Sequence, residues 1–223
     1  MGILYLVRHG QASFGADDYD QLSDLGLRQS VQLGRYFASK NMSFDAVLGG
    51  TLRRHSQTLD GIREGMGLAT QHSLQWPGLN EYDSDAVIAA IHPEPLARDT
   101  TPENYRHHFR LLRAGLLQWM LGNSQPQGMP SWQTFGQQVV AVLDHVRRSQ
   151  AERVLLVSSG GPIASAIGHV LGTPPEATVE LNMRLRNTAI TEFSFGPKRH
   201  TLLTYNTLPH LEHLDFAQWV SHA

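Results

Sequence analysis

Three short polar turns carry the residues of this chain that could do chemistry. Arg8-His9-Gly10-Gln11 follows the apolar run Ile3-Leu4-Tyr5-Leu6-Val7, Gly49 to Arg54 holds two adjacent arginines, and Ser158-Ser159-Gly160-Gly161 opens a helical pattern. A phosphate monoester carries close to two negative charges at neutral pH. Guanidinium groups offer paired donors to its oxygens and stay charged at any working pH. A helix N-terminus turns free N–H groups and a favourable dipole toward an anion, and glycines let the backbone come close to it. A neutral imidazole is a competent nucleophile when its other nitrogen donates to a backbone carbonyl, which fixes the tautomer. Two arginines, one histidine and one helix N-terminus could converge on an anion. Taken singly, each has a plainer reading: a strand-end histidine is usually structural, Arg53 and Arg54 a solvated helix face, and Glu81 a surface carboxylate. Their order along the chain, at the ends of the expected strands, is what sets the combination apart.

The elements that must position these residues are legible from hydrophobic spacing. Ile3 to Val7 is a continuous apolar run that suits a first, central strand buried on both faces. Leu25, Leu27, Val31, Leu33 and Phe37 follow Ser23 at helical spacing, so a helix to about Ser39 with Ser23 as its cap is predicted. Ala46-Val47-Leu48 reads as a second strand. Leu52, Leu59, Ile62 and Met66 then mark the face of another helix, with Thr51 as its cap. From Trp76 to Pro130 the pattern is broken by Pro77, Pro93, Pro95 and Pro102, with one amphipathic helix from about Glu103 to Met120; this reads as an insertion over the site. A helix from about Trp132 to Arg148 leads into the buried strand Val154-Leu155-Leu156-Val157. A further helix, with Pro162 near its first position, runs to about Leu171. Thr188 to Phe195 and Thr201 to Tyr205 read as late strands. Such alternation implies an α/β fold with a largely parallel sheet covered on both faces, and ligands in such sheets bind beyond the carboxyl ends of the strands.

Composition bounds the rest. A chain of 223 residues can bury roughly 70% or more of its unfolded surface, so one domain over residues 1–223 is expected. With 41% hydrophobic and 17% charged residues it shows neither the signature of disorder nor that of a membrane protein. The net charge of -2 and the scattered basic residues give no footprint for a nucleic-acid backbone. The absence of cysteine excludes disulfides, a thiol nucleophile and thiolate metal sites, and suits the cytoplasm. Residues Met1 to Val7 lack an export signal, and Leu6 breaks the myristoylation pattern that Gly2 suggests. The oligomeric state is not encoded in any readable pattern.

The motifs together resemble the histidine phosphatase superfamily, the phosphoglycerate mutase-like family. Arg8-His9-Gly10 matches its signature, and Leu22 to Gln29 resembles its first helix. Leu52-Arg53-Arg54-His55-Ser56-Gln57-Thr58 resembles its second arginine motif, with Arg54 at the functional position. Leu79-Asn80-Glu81 matches its acidic motif, and Val154 to Gly161 resembles the segment carrying its second histidine. The resemblance implies a three-layer sandwich around a mostly parallel sheet. It further implies a phosphatase in which His9 attacks phosphorus in line, Arg8 and Arg54 bind the phosphoryl oxygens, and Glu81 acts as general acid and base. Gln11, Ser159 and Gly160 fall at substrate-binding positions, and no metal or other cofactor is required. The expected partner is a small phosphorylated substrate or a phosphoprotein.

Three departures stand out. Ser159 occupies the position of the family's second histidine, which replaces a charge-assisted hydrogen bond by a neutral, shorter one and implies slower turnover. Gly15 stands where the cofactor-dependent mutases have an asparagine. Tyr82-Asp83-Ser84 after Glu81 differs from the mutase continuation, so hydrolysis is favoured over transfer. The alternative reading is a degenerate relative that binds a phosphorylated ligand or a protein partner without turnover. His210 and His213 are candidates to enter the site, against a plainer reading as surface or capping residues.

Overall fold

A computed structural model of the chain describes residues 1–13, 20–69, 72–94 and 101–222. In chain order the elements are β1 (Gly2–Arg8), α1 (Asp24–Ser39), β2 (Ala46–Gly49), α2 (Arg53–Met66), β3 (Leu74–Gln75), α3 (Ser84–Ala89), α4 (Pro102–Met120), α5 (Trp132–Arg148), β4 (Arg153–Ser158), α6 (Gly160–Leu171), α7 (Pro175–Arg184), β5 (Ile190–Phe195) and β6 (His200–Thr207). Short 3-10 turns at Pro77–Leu79, Pro209–Leu211 and Leu214–Trp219 complete the described elements. The six strands form one sheet in the order β3-β2-β4-β1-β5-β6. β1, β2, β3 and β4 pair in parallel, and β5 is antiparallel to both β1 and β6. The fold is therefore the expected α/β sandwich with a mostly parallel sheet.

The apolar runs of β1 and β4 work because both faces are covered. Leu4, Leu6, Leu48, Val154, Leu156, Phe193 and Phe195 turn to one face, where residues of α4, α5, α6 and α7 cover them. Val7, Val47, Leu155, Val157 and Ile190 turn to the other, against Leu33, Phe37 and Ile62 of α1 and α2. The period-2 alternation of a strand delivers consecutive side chains to opposite layers, so an uninterrupted apolar run feeds two cores at once. Among the described residues no helix is long and apolar enough to cross a membrane.

The helix caps follow local chemistry. Ser23 caps α1 by accepting from the Gly26 N–H, and Ser131 caps α5 by accepting from the Thr134 N–H. Thr51, expected to cap α2, does not: the flanking position is Leu52, which makes no side-chain cap bond, and the Thr51 hydroxyl accepts instead from Asn80 Nδ2 at 2.6 Å. The orphan N–H groups of α2 are met from a distance, by the Asp20 carboxylate accepting from Arg53 N–H at 2.9 Å and Arg54 N–H at 3.4 Å. Pro162 is the third residue of α6, near its start as expected, and the strand expected from Thr188 starts at Ile190, because Thr188 adopts φ 56° in a turn.

α1 and α2 cross with their backbones in contact. A Cβ on Gly34 would come within 2.1 Å of the Ile62 carbonyl oxygen, and one on Gly65 within 2.0 Å of that of Val31. This approach fixes where α2 delivers Arg54. Gly136, midway along the first turns of α5, has nothing within 4 Å of such an atom. The same substitution should then act in opposite directions. Gly34→Ala should lose about 1–3 kcal/mol by forcing the helices apart, whereas Gly136→Ala should gain about 0.5–1 kcal/mol from helix propensity. Denaturant unfolding of the two variants checks this, and a Gly34→Ala protein as stable as the native one would contradict the packing described.

Candidate active site

The carboxyl ends of β1, β2 and β4 lie side by side, with Arg8 opposite Ser158 and Gly49 opposite Val157. His9 follows directly, its N–H donating to the Ser158 carbonyl at 2.9 Å. The ring is buried, and Nδ1 lies 2.7 Å from the Gly10 carbonyl oxygen. A carbonyl can only accept, so Nδ1 carries the proton and Nε2 keeps its lone pair. That lone pair accepts from Arg54 Nε at 3.3 Å. Burial above all, then the Arg54 and Arg8 charges and His55, holds His9 well below its ordinary value of 6.5, against the pull of the Gly10 bond. The lowered value favours the neutral imidazole, with its unprotonated nitrogen facing a guanidinium.

Around it, a chain of bonds locks the turn. Gly10 N–H donates to Thr58 Oγ1 at 3.0 Å, and that hydroxyl donates to the Arg54 carbonyl at 2.7 Å, which ties the His9 turn to α2. From the other side, Asn187 Nδ2 and the Thr188 N–H each donate to the His9 carbonyl at 3.3 Å. Arg54 is buried, and its Nη1 pairs with Asp20 at 2.9 Å. Arg8 is buried as well and donates from Nη1 to the Leu185 carbonyl.

Glu81 arrives from the turn after Pro77–Leu79, pinned by Ser158 Oγ donating to the Leu79 carbonyl at 2.7 Å. Its carboxyl accepts from the Gly161 N–H at 3.0 Å and from the Tyr82 N–H at 3.3 Å. One N–H at the start of α6, expected to face an anionic ligand, is thus engaged by Glu81. A Cβ on Gly161 would fall 2.4 Å from Oε1, so the glycine makes room for the carboxyl. Burial raises Glu81 above its ordinary 4.5, while Arg54, Arg8 and the two N–H donors oppose the shift. Both arginines therefore act electrostatically on both His9 and Glu81.

The structure places His9, Arg8, Arg54, Glu81 and Ser159 in one region. Ser159 is fully buried, with its hydroxyl 2.7 Å from His55 Nε2. Gly160 borders the same region, close to Asn182 and Glu81. Gln11 has a different occupation: its side-chain oxygen accepts from Ser23 Oγ at 2.8 Å and its N–H donates to Gln29, which anchors the start of α1. His210 does not join His9; it is buried behind the site, its Nε2 2.9 Å from Thr188 Oγ1, and burial lowers it to about 3. His213 is exposed and caps the turn Leu214–Trp219 through the Asp215 N–H, as the plainer reading had it. Gly15 lies outside the described residues.

Three residues of this constellation carried no role in the sequence reading. Thr58 was noted only as a motif member, and Asp20 stands beside a segment without helical or strand pattern. His55 was quoted next to Arg54, yet its ring lies 5.7 Å from that of His9, centroid to centroid. The departure at Ser159 was the available signal, since it called for another polar group in the same volume.

A family model described as the histidine phosphatase superfamily (branch 1) matches residues 4–208. The chain is 26% identical over 226 residues to a Hydrogenobacter thermophilus protein provisionally named phosphoserine phosphatase 2, covering 95% of this chain and 98% of that one. Among solved structures it is similar to phosphoserine phosphatase of Entamoeba histolytica in complex with 3-phosphoglyceric acid, at 20% identity and a TM-score of 0.64 over 95% of this chain and all of that one. It is likewise similar to YhfR of Bacillus stearothermophilus, at 18% identity and a TM-score of 0.68 over 95% and 100% of the two chains.

The ion pair of Asp20 with Arg54 places a carboxylate on the guanidinium that an incoming anion would use. Asp20→Asn keeps an acceptor for the α2 N–H groups and removes the competing charge. Vanadate should bind roughly two- to fivefold more tightly to this variant, as suits an ion pair with one part-exposed partner. Isothermal titration measures it; unchanged or weaker binding would show that Asp20 supports the anion site instead of competing with it.

Proposed function

The chain belongs to the histidine phosphatase superfamily and is a phosphatase, and we propose that it hydrolyses small phosphomonoesters through a phosphohistidine on His9. The observation that carries this reading is the fixed tautomer of His9, with Nδ1 bonded to Gly10 and an unprotonated Nε2 that accepts from Arg54 Nε, a donor the phosphoryl oxygens would take over as Nε2 attacks. The Nε2 lone pair forms a bond to phosphorus as the ester P–O bond breaks, and Arg8 and Arg54 balance the charge on the phosphoryl oxygens. Glu81 gives its proton to the departing alkoxide. A water then attacks the phosphohistidine, Glu81 takes the proton it releases, and the P–N bond breaks to leave inorganic phosphate and neutral His9. The segment from Trp76 to Pro130, which carries Glu81 and α4, is the part of the chain proposed to select the alcohol. Ser159 is read as standing where the family has its second histidine, with slower turnover than in members that keep it. The hydrolysis of phosphoserine and related small esters suggested by the relatives' names gives the first substrates to try.

The reading predicts a covalent intermediate. Rapid quench of the enzyme with a labelled phosphomonoester should trap an acid-labile phosphoprotein, and His9→Ala should lose both the label and turnover. Unchanged turnover in His9→Ala would remove His9 from the role of nucleophile.

The two shifted groups also set the pH profile. His9 must be neutral, and its lowered value keeps it so well below 6.5; Glu81 must be protonated for the first step, and its raised value keeps it so above 4.5. The pH dependence of kcat/KM should therefore fall on the acid side as His9 gains a proton and on the alkaline side as Glu81 loses one. Glu81→Gln should lose about 10²–10⁴-fold on phosphoserine, and much less on p-nitrophenyl phosphate, whose leaving group needs no proton. Equal losses on the two substrates would show that Glu81 is not the acid.

A further inference from the structure

The buried hydroxyl of Ser159 and the ring of His55 form a pair that no motif anticipated. Ser159 flanks the N-terminus of α6 without capping it, and its side chain turns to His55, its hydrogen-bond partner among the described residues. The neighbouring hydroxyl of Ser158 is used up on the Leu79 carbonyl. His55 is itself fully buried, one residue from Arg54 on α2 and beside the His9 ring.

The tautomer of His55 follows from its surroundings. Nδ1 is buried without a hydrogen-bond partner, packed against Gly50, where a Cβ would come within 2.2 Å of it. A proton on Nδ1 would leave a buried N–H unsatisfied beside an Nε2 that could only accept, and an orphaned buried donor is the costlier arrangement. The proton sits on Nε2, which donates to Ser159 Oγ. The Ser159 proton is then turned away from His55 and is left to donate elsewhere. Burial, and then the Arg54 charge, lowers the ring from its ordinary 6.5 to about 3, which favours the neutral form.

We propose that Ser159 and His55 act as one unit in place of the family's second histidine: Ser159 donates a hydrogen bond to the phosphoryl group, and His55 is the positioning residue that aims it. The two solutions exclude each other in space. A histidine at 159 would set its Cγ where Oγ now lies, 2.7 Å from His55 Nε2 and inside van der Waals contact. A ring contributed from α2 thus fills the volume that a ring from the β4–α6 turn would take. The unit supplies a neutral bond rather than a charged one, so it supports transfer more weakly while adding no positive charge next to His9.

The inference rests on the phosphatase reading above, and the test separates the two. Steady-state kinetics on p-nitrophenyl phosphate and vanadate affinity are measured for the native protein, His55→Leu, His55→Gln, Ser159→Ala and the double variant His55→Leu/Ser159→Ala. His55→Leu and Ser159→Ala should each lower kcat by about tenfold or more, with a smaller change in KM and vanadate affinity. The double variant should be no worse than the worse single one, because a unit broken once has little left to lose. His55→Gln, which keeps a side-chain donor near the same place, should recover most of kcat. If the native protein forms phosphohistidine while the single losses multiply in the double variant, or His55→Leu lowers the melting temperature but not kcat, the unit is refuted and the phosphatase reading stands. If the native protein forms no phosphoenzyme, both fall.

Discussion

The hydrogen bond from His9 Nδ1 to the Gly10 carbonyl, 2.7 Å long, decides which nitrogen of the imidazole faces Arg54, and much of the surrounding structure serves to hold it. A free histidine would place its proton on either nitrogen and take a second one near neutrality. Here the carbonyl claims one nitrogen, and burial among cations denies the ring a second proton. Gly10 stays in place because its N–H is held by Thr58, Thr58 is held by the Arg54 carbonyl, and α2 is held against α1 by glycine-mediated backbone contact. A packing decision between two helices thus reaches the His9 ring through three hydrogen bonds.

The same economy governs the charges. Arg8 and Arg54 each influence His9 and Glu81 together, lowering the first and restraining the rise of the second. The two cations that the proposed reading assigns to one phosphoryl group therefore also keep His9 neutral and let Glu81 hold its proton only as far as burial outweighs them. Asp20 completes this balance. Its carboxylate sits on Arg54 and on the N–H groups of α2, so the start of that helix is satisfied from within the chain.

How much of this was legible depended on whether a residue's role is local. The strands β1 and β4 were readable because an unbroken apolar run has few alternatives, and α1 because Ser23 and its spacing agree. Arg8 and His9 were readable as motif members at the end of a strand, and Arg54 and Glu81 as members of motifs that follow β2 and β3. Thr51 was misread because the cap of α2 comes from Asp20, more than thirty positions earlier. His210 was a candidate on residue type alone, and the turn at Thr188 keeps it behind the site. His55 was visible but silent: its meaning depends on Ser159, which reaches it only after β4 has been inserted between β1 and β2. Contacts made by strand insertion leave no trace in local spacing.

The protonation state of His9 is the point on which the account turns, and nitrogen-15 NMR of the histidine rings reads it directly. With the protein labelled at its imidazole nitrogens and His9 assigned by comparison with His9→Ala, the ring should show a protonated Nδ1 and a bare Nε2. That pattern should persist without titrating as the pH is lowered through 6.5, the ordinary value for the group. A His9 that titrates near 6.5, or that carries its proton on Nε2 at neutral pH, would contradict the assignment of the nucleophile and the arrangement built around it.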